Sequence, residues 1–267
     1  MKSFAFWKTS ALQDIDPSSP EYLSIQRDLI LSRPLVKKNY LDWYRYMTNG
    51  IASYGTSSAT LQVELGSGGG FLKDIVPDVV TSDVQPVKGV DLVIDGRKLP
   101  FDDNSVKAIY MTHVLHHIPD VESFFTEARR TLAVGGVIAM IEVAATPFAR
   151  FFFDRFHPEP FLPNVESWSF NQSDAMLDSN QALSWIVFKR DIERFRLLFP
   201  ELEVCETKLL PWFSYFVSGG VTKPYLIPDW CAPLVRAADR ALSFTHPLCS
   251  LHWGIIIRKN QRGGSAQ

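Results

Sequence analysis

The side chains best suited to chemistry in this 267-residue chain are three histidines near its middle. His113, His116 and His117 follow the apolar run at residues 106–111. Histidine takes up and releases protons near neutral pH, so each of the three could serve as a base. A metal site would need three or four converging ligands, and no cysteine or acidic residue has a fitting spacing nearby. We therefore predict no metal.

A glycine-rich stretch earlier in the chain, ELGSGGG at residues 64–70, predicts a ligand-binding turn. Glycine lets a backbone approach a ligand closely, and a turn from strand to helix exposes N–H groups. A phosphate-binding loop would need Lys-Ser or Lys-Thr, which this stretch lacks. The dinucleotide pattern Gly-x-Gly-x-x-Gly also fails, because Phe71 stands at its sixth position. A glycine turn without a ligand stays open at this point.

The histidines and the glycine stretch lie among short apolar runs that alternate with helical patterns, and these elements must position them. Asp83 and Asp95 each follow one of the runs, and ligands of open α/β sheets bind at the carboxyl ends of the strands. The alternation predicts a parallel sheet with right-handed crossovers. The predicted strands are 61–65, 79–82, 90–94, 106–111 and 137–143, with helices at 71–76 and 120–132 and a turn at Gly135-Gly136.

The flanking regions contain further elements. Residues 19–49 predict two helices, with Ser19 as the cap, a break at Arg33-Pro34 and an end at Asn49-Gly50. The C-terminal part predicts a helix at 191–199, a strand at 202–209, a helix at 229–244 interrupted by Pro233, and a strand at 253–258.

Segments in the region 60–145 resemble, in order, the motifs of class I S-adenosylmethionine-dependent methyltransferases. ELGSGGG resembles the first motif, an acidic residue followed by alternating glycines. VLHHIPD at 114–120 resembles the LHHxPD segment of small-molecule members, and LAVGG at 132–136 resembles the turn before the fifth strand, with Val134 in place of proline. The resemblance implies an α/β, Rossmann-like, seven-stranded and mostly parallel sheet, with an N-terminal helical lid and aromatic-rich insertions.

The resemblance also implies S-adenosylmethionine as cofactor, with S-adenosylhomocysteine as product. Asp83 would hold the ribose, Asp95 would face the adenine amino group, and His113 would contact the methionine part. Few residues separate the two aspartates, so the second helix is nearly absent and another element must cover that face of the sheet. The expected cofactor-binding residues are Glu64, Gly66, Ser67, Gly68, Gly70, Asp83, Val84, Asp95, Gly96, Leu99, Thr112 and His113.

For catalysis, the resemblance to some sugar O-methyltransferases implies His116 as base and Glu142 as its acidic partner. The alternatives are that His116 packs or caps the next helix and that Glu142 pairs with a surface charge. The implied reaction is O-methylation of a sugar or another hydroxylated small molecule. N- or C-methylation of a lipid-like or aromatic metabolite, a non-catalytic S-adenosylmethionine-binding protein and a nicotinamide oxidoreductase stay open.

An aromatic segment, FARFFFDRFHPEPF, begins at residue 148. It could form a wall of the acceptor pocket, with His157 or Glu159 as an alternative base, or a buried helix against the N-terminal helices. Membrane-surface contact is a third reading, although a basic face is lacking. The predicted organisation is a helical lid at 1–50, a methyltransferase domain at 51–259 with insertions at 144–180 and 210–250, and a flexible tail at 260–267.

Composition limits the partners that we expect. The net charge of −2 argues against nucleic acid, and 46% hydrophobic residues fit a globular core. Three widely spaced cysteines suggest a reducing cytosol, and we see neither a signal peptide nor a membrane span. We expect a cytoplasmic monomer or homodimer that binds a small-molecule acceptor, with peripheral membrane contact left open.

Overall fold

The computed structural model describes residues 9–16, 19–174, 178–225 and 227–261. Among these residues, seven strands form one sheet in the order β3-β2-β1-β4-β5-β7-β6. Strand β7 is antiparallel to both neighbours and the other pairs are parallel, which confirms the predicted α/β fold. The strands are β1 Leu61–Leu65, β2 Val79–Asp83, β3 Leu92–Val93, β4 Val106–Thr112, β5 Leu132–Val143, β6 Leu202–Leu209 and β7 His252–Lys259.

Helices cover both faces of the sheet. The α-helices are α1 Pro20–Ser32, α2 Pro34–Tyr54, α3 Val121–Thr131, α4 Pro147–Phe156, α5 Leu183–Trp185, α6 Ile192–Leu198, α7 Phe213–Ser218, α8 Ala232–Ala241 and α9 His246–Cys249. Single 3-10 turns lie at Ser10–Leu12, Leu72–Asp74, Leu115–His117, Asp229–Cys231 and Ser243–Thr245, and a π-helical turn at Ile186–Arg190. No helix in these described ranges is both long and apolar enough to cross a bilayer. Residues 1–8 of the predicted lid and 262–267 of the predicted tail lie outside the described residues.

The N-terminal helices begin where the sequence predicts, but the second is longer. The Ser19 hydroxyl accepts a hydrogen bond from the Tyr22 N–H at 3.2 Å, and Arg33 is extended before Pro34. The predicted end of α2 at Asn49-Gly50 is wrong, because the helix continues to Tyr54. A side chain at Gly50 would collide with Ile256 of β7, so this glycine serves close helix–sheet packing instead of a helix end.

Gly135-Gly136 lies inside β5 and does not form the predicted turn before it. Val106 of β4 pairs with Leu132 and Ala108 pairs with Val137, so the register shifts between the two pairs. Gly135 has a φ of 79°, a value that favours glycine. The two glycines thus form part of a bulge at which β5 bends.

Three other expected elements differ in extent. A 3-10 turn at Leu72–Asp74 replaces the predicted helix 71–76, and β3 contains two residues instead of five. Pro233 lies in the first turn of α8 and does not interrupt a helix, since a proline there loses no helical hydrogen bond.

Successive side chains of the central strands point to opposite faces of the sheet, so the core consists of two layers. Tyr110 of β4 and Ala139 of β5 pack beneath α2, together with Trp43 and Met47 of that helix. On the opposite face, alternate strand residues such as Ile138 pack beneath α3 and α6. Helix α2 and the turn at Leu72–Asp74 therefore cover much of the sheet that the nearly absent second helix leaves bare.

Strand β3 remains open at the edge of the sheet. Leu92 and Val93 are 41% and 61% exposed in the described structure. The insertion after β5 is buried in part, because Phe153, Phe161 and Trp168 pack into the same buried cluster as the sheet.

Candidate functional site

One cavity of about 1140 Å³ lies at the carboxyl ends of β1, β2 and β4. The glycine turn and α1 line one end of it, and α4 and the residues around α7 line the other. We name these ends the cofactor half and the acceptor half after their predicted ligands. Small-molecule sites usually measure about 300–1,000 Å³, so this cavity has room for a cofactor and a second small molecule.

The glycine turn is held open by its own hydrogen bonds. Gly66 and Gly68 have φ values of 64° and 44°, and a side chain at Gly66 would collide with Val114. Ser67 donates from its hydroxyl to Glu64 at 2.8 Å and from its N–H to the Ser82 carbonyl at 2.8 Å. The turn therefore keeps its backbone against the cavity, as a ligand-binding turn requires.

Helix α1 lies directly on this turn. A Cβ atom added at Gly69 would lie 2.9 Å from the backbone nitrogen of Arg27 and 3.0 Å from the carbonyl oxygen of Leu23. Arg27 also donates to the carbonyl of Gly70. Leu23, Gln26 and Ile30 of α1 line the cavity. This arrangement supports a lid role for α1, which stays a prediction.

Two carboxylates mark the cofactor half of the cavity. Burial raises the pKa of Glu64 to about 7, although Ser67 and Arg27 act in the opposite direction. Asp83 accepts the Gly68 N–H at 3.0 Å and the Gln85 N–H at 3.1 Å, while its burial raises the pKa of this carboxyl. Asp83 is thus fixed beside the glycine turn, and its predicted contact with the ribose stays a prediction.

Most of the other expected cofactor residues also line the cavity. They include Val84, Asp95, Gly96, Thr112 and His113. Leu99 is different: it is buried in the core, and its N–H donates to Glu127 at 3.0 Å.

Unpartnered polar atoms show that the cofactor half suits a polar ligand. Among the described residues, the Thr112 hydroxyl and Nε2 of His113 are buried without a hydrogen-bond partner. His113 has a φ of 59° and its N–H donates to the Ile141 carbonyl at 2.9 Å. Burial lowers the pKa of His113 to about 4, so its ring is neutral. A ligand that offers polar groups would satisfy both atoms.

Glu142 of β5 fixes the loop that follows β4. Its Oε1 accepts the N–H groups of Val114 at 2.9 Å and Leu115 at 2.7 Å, and its Oε2 lies 2.6 Å from Nδ1 of His116. Glu142 has no exposed surface, whereas His116 lines the cavity. The two residues expected to act together are therefore in direct contact.

The insertion after β5 adds a second carboxylate beside His116. Oε2 of Glu159 lies 3.5 Å from Nε2 of His116 and accepts from Ser179 at 3.0 Å and Gln181 at 2.7 Å. Burial alone would lower the pKa of His116, but Glu142 and Glu159 raise it to about 10. The neighbouring histidines hold the pKa of Glu159 well below its usual range despite burial.

Two residues that the sequence reading missed complete the acceptor half. His252, the first residue of β7, pairs with Val143, and its ring centroid lies 4.8 Å from that of His113. Tyr215 of α7 lies 4.4 Å from His252 between ring centroids. Both line the cavity. Only the position of β7 beside β5 could have indicated His252, and that pairing is not readable from the local sequence.

The sheet order, the antiparallel β7 and the glycine turn after β1 define a Rossmann-like fold of the class I methyltransferase type. Residues 63–140 match the family model described as a methyltransferase domain. This match covers part of the chain, and together with the fold it supports an S-adenosylmethionine-dependent methyltransferase domain with S-adenosylmethionine as its cofactor.

Individual proteins match more distantly. A sterol 24-C-methyltransferase of Gibberella zeae is 40% identical over 48 residues, which span 18% of this chain and 13% of that relative. The solved geranyl diphosphate C-methyltransferase of Streptomyces coelicolor A3(2) is 16% identical over 94% of this chain and 87% of its own, with a TM-score of 0.49. The YcgJ protein of Bacillus subtilis is 14% identical over 82% of this chain and 99% of its own, with a TM-score of 0.45.

Proposed function

We propose that the protein methylates an oxygen atom of a small, largely apolar acceptor. The observation that carries this proposal is the contact of His116 with Glu142 at the wall of a cavity that also contains the cofactor residues. When bound, S-adenosylmethionine supplies an electrophilic methyl group. Transfer of this group to the acceptor oxygen produces S-adenosylhomocysteine. The protein then has to align the acceptor oxygen and stabilise the proton that the hydroxyl loses.

His116 is the catalytic residue in this proposal, and Glu142 is its positioning residue. The short bond to Glu142 fixes the imidazole ring, so that Nε2 points toward Glu159 and the cavity. Carboxylates on both sides of the ring favour positive charge at this edge. Because these carboxylates raise the pKa of His116 to about 10, the ring holds a proton at neutral pH, and only its neutral form takes the proton of an acceptor hydroxyl.

The lining of the acceptor half supports an apolar acceptor body. Aromatic side chains dominate this part of the cavity: Phe148, Phe151, Phe152, Phe153, Phe156, Tyr215 and Phe216. Two buried carboxylates, Glu142 and Glu159, would repel an anionic group close to the reacting atom. We therefore propose an acceptor with an uncharged hydroxyl at its reacting end.

C-methylation is the second candidate function. The short match to a sterol 24-C-methyltransferase and the aromatic lining favour it. Addition of a methyl cation to a carbon–carbon double bond leaves a carbocation, which aromatic faces stabilise. Glu159 would then accept a proton from the adjacent carbon. Locating the new methyl group by NMR on the product separates the two reactions.

The experiment that tests the proposal measures S-adenosylhomocysteine formation with a panel of hydroxylated apolar acceptors. We expect His116→Ala to lower the rate by about 10²–10⁴-fold, as for loss of a general acid–base group. Glu142→Gln should lower it less, because the amide still contacts the ring. His246→Ala, outside the cavity, is the matched control. Turnover of an identified acceptor by His116→Ala at the wild-type rate would overturn the catalytic assignment.

A further inference from the structure

Three side chains converge at the acceptor half in a geometry typical of metal ligands. Oε2 of Glu159 lies 3.5 Å from Nε2 of His116 and 3.7 Å from Nε2 of His117. One ligand atom from each of the three residues lies within 4.8 Å of the others. Nitrogen and oxygen atoms bound about 2.0–2.2 Å from the same tetrahedral ion stand roughly 3.4 Å apart. The observed separations exceed those of strong charge-assisted hydrogen bonds, about 2.7–2.9 Å, and suit ligands of one ion.

The contacts around two of these residues, His116 and Glu159, also fit a metal site. Glu142 lies 2.6 Å from Nδ1 of His116, which leaves Nε2 to face Glu159. Metal-binding histidines usually donate their second ring N–H to such a carboxylate. Glu159 is held in turn by Ser179 and Gln181, as ligating carboxylates usually are.

The balance of charge points in the same direction. Glu142 has no exposed side-chain surface and Glu159 only 14%. Within the described part of the chain, the ion pairs of these two carboxylates are with histidines. Two carboxylates buried this deeply need a nearby positive charge, which a divalent cation would supply.

We propose that His116, His117 and Glu159 bind one divalent transition-metal ion, with Zn²⁺ the ion best suited to two imidazoles and a carboxylate. Three protein ligands would leave the fourth position of a tetrahedral ion for another ligand, as in catalytic zinc sites. The sequence reading predicted no metal because the acidic ligand comes from the insertion after β5 and not from the histidine segment.

This inference rests on the proposed function for what fills the open position, namely the acceptor oxygen. A hydroxyl bound to the ion loses its proton to water more readily, and the resulting alkoxide oxygen forms the new bond to the methyl carbon while the carbon–sulfur bond breaks. With the ion bound, His116 is a positioning residue, and water takes the acceptor proton that the proposed function assigns to its ring.

Metal binding is measured on the full chain, stripped with a chelator, by titration with Zn²⁺ and by the visible absorption of bound Co²⁺. We expect about one ion per chain for wild type. His117→Ala and Glu159→Gln should each weaken binding at least tenfold, and Glu142→Gln by about 10–100-fold through the outer contact. His246→Ala should bind as wild type does. S-adenosylhomocysteine affinity shows whether the variants keep the folded cofactor cavity.

Absence of Co²⁺ absorption in the wild type, or equal Zn²⁺ affinity in wild type, His117→Ala and Glu159→Gln, would overturn the metal site. Undiminished methyl transfer by the chelator-stripped enzyme would overturn the role of the ion and leave the proposed function standing. Stoichiometric Zn²⁺ binding that depends on His117 and Glu159, without methyl transfer to any acceptor, would support the site and count against the proposed function.

Discussion

At the scale of single residues, Glu64 shows how burial turns a motif residue into a group that responds to pH. Its ordinary pKa is 4.5, and burial raises the pKa to about 7 in the folded protein. The unfolded chain therefore loses the Glu64 proton first as the pH rises. The resulting stability is present below about pH 4.5 and is lost as the pH rises through about 7.

Glu64→Gln should remove this pH dependence. The gain in unfolding free energy of the variant over wild type should be larger near pH 8 than near pH 5, by on the order of 2 kcal/mol. Urea unfolding at both pH values measures it. Glu193→Gln is the control, because its side chain is 76% exposed. If the difference in unfolding free energy between Glu64→Gln and wild type does not change with pH, the raised pKa of Glu64 is contradicted.

Asp83 carries the second prediction at this scale. Asp83→Ala removes the acceptor of the Gly68 N–H and, if Asp83 holds the ribose, of the ribose hydroxyls as well. S-adenosylhomocysteine affinity should fall by about 1–3 kcal/mol, measured by calorimetry. Asp154→Ala, on α4 with a side chain 66% exposed, is the control. An unchanged affinity would rule out Asp83 as a cofactor contact.

At the scale of elements, the local sequence predicts most strands correctly, but the structures that it predicts at two glycines are wrong. Strands β1 and β6 have the predicted bounds, because apolar runs limited by polar or glycine residues define strands locally. The local pattern predicts a helix end at Gly50, but this glycine packs against Ile256, far along the chain. The local pattern predicts a turn at Gly135, but this glycine belongs to a bulge that the pairing with β4 produces. Tertiary contacts decide both positions.

Gly50→Ala tests the packing of α2 on β7. The new methyl group would meet the Ile256 side chain, and overpacking of this kind costs about 1–3 kcal/mol, partly offset by the better helix propensity of alanine. Denaturant unfolding should show a net loss. The double variant Gly50→Ala/Ile256→Val should recover part of it. A stabilised single variant would contradict the close packing.

In the candidate site, too, local motifs predict some residues, and tertiary contacts decide the others. The residues predicted to bind the cofactor come from one continuous segment with local motifs, and most of them line the cavity. In the acceptor half, Glu159 was named only as an alternative base, and Gln181 and His252 not at all. These residues come from the insertion and from β7, and folding alone brings them to His116 and His113.

At the scale of the whole molecule, one cavity joins the two halves. The parallel strands end at one edge of the sheet, α1 covers the glycine turn there, and the insertion after β5 supplies both aromatic rings and Glu159. The central claim is that the glycine-turn end of this cavity binds S-adenosylmethionine and its product.

Calorimetric titration of the full chain tests this claim most directly. We predict that S-adenosylhomocysteine binds at about one molecule per chain and that NAD does not bind at the same concentrations. Tight binding of NAD with no binding of S-adenosylhomocysteine would contradict the account.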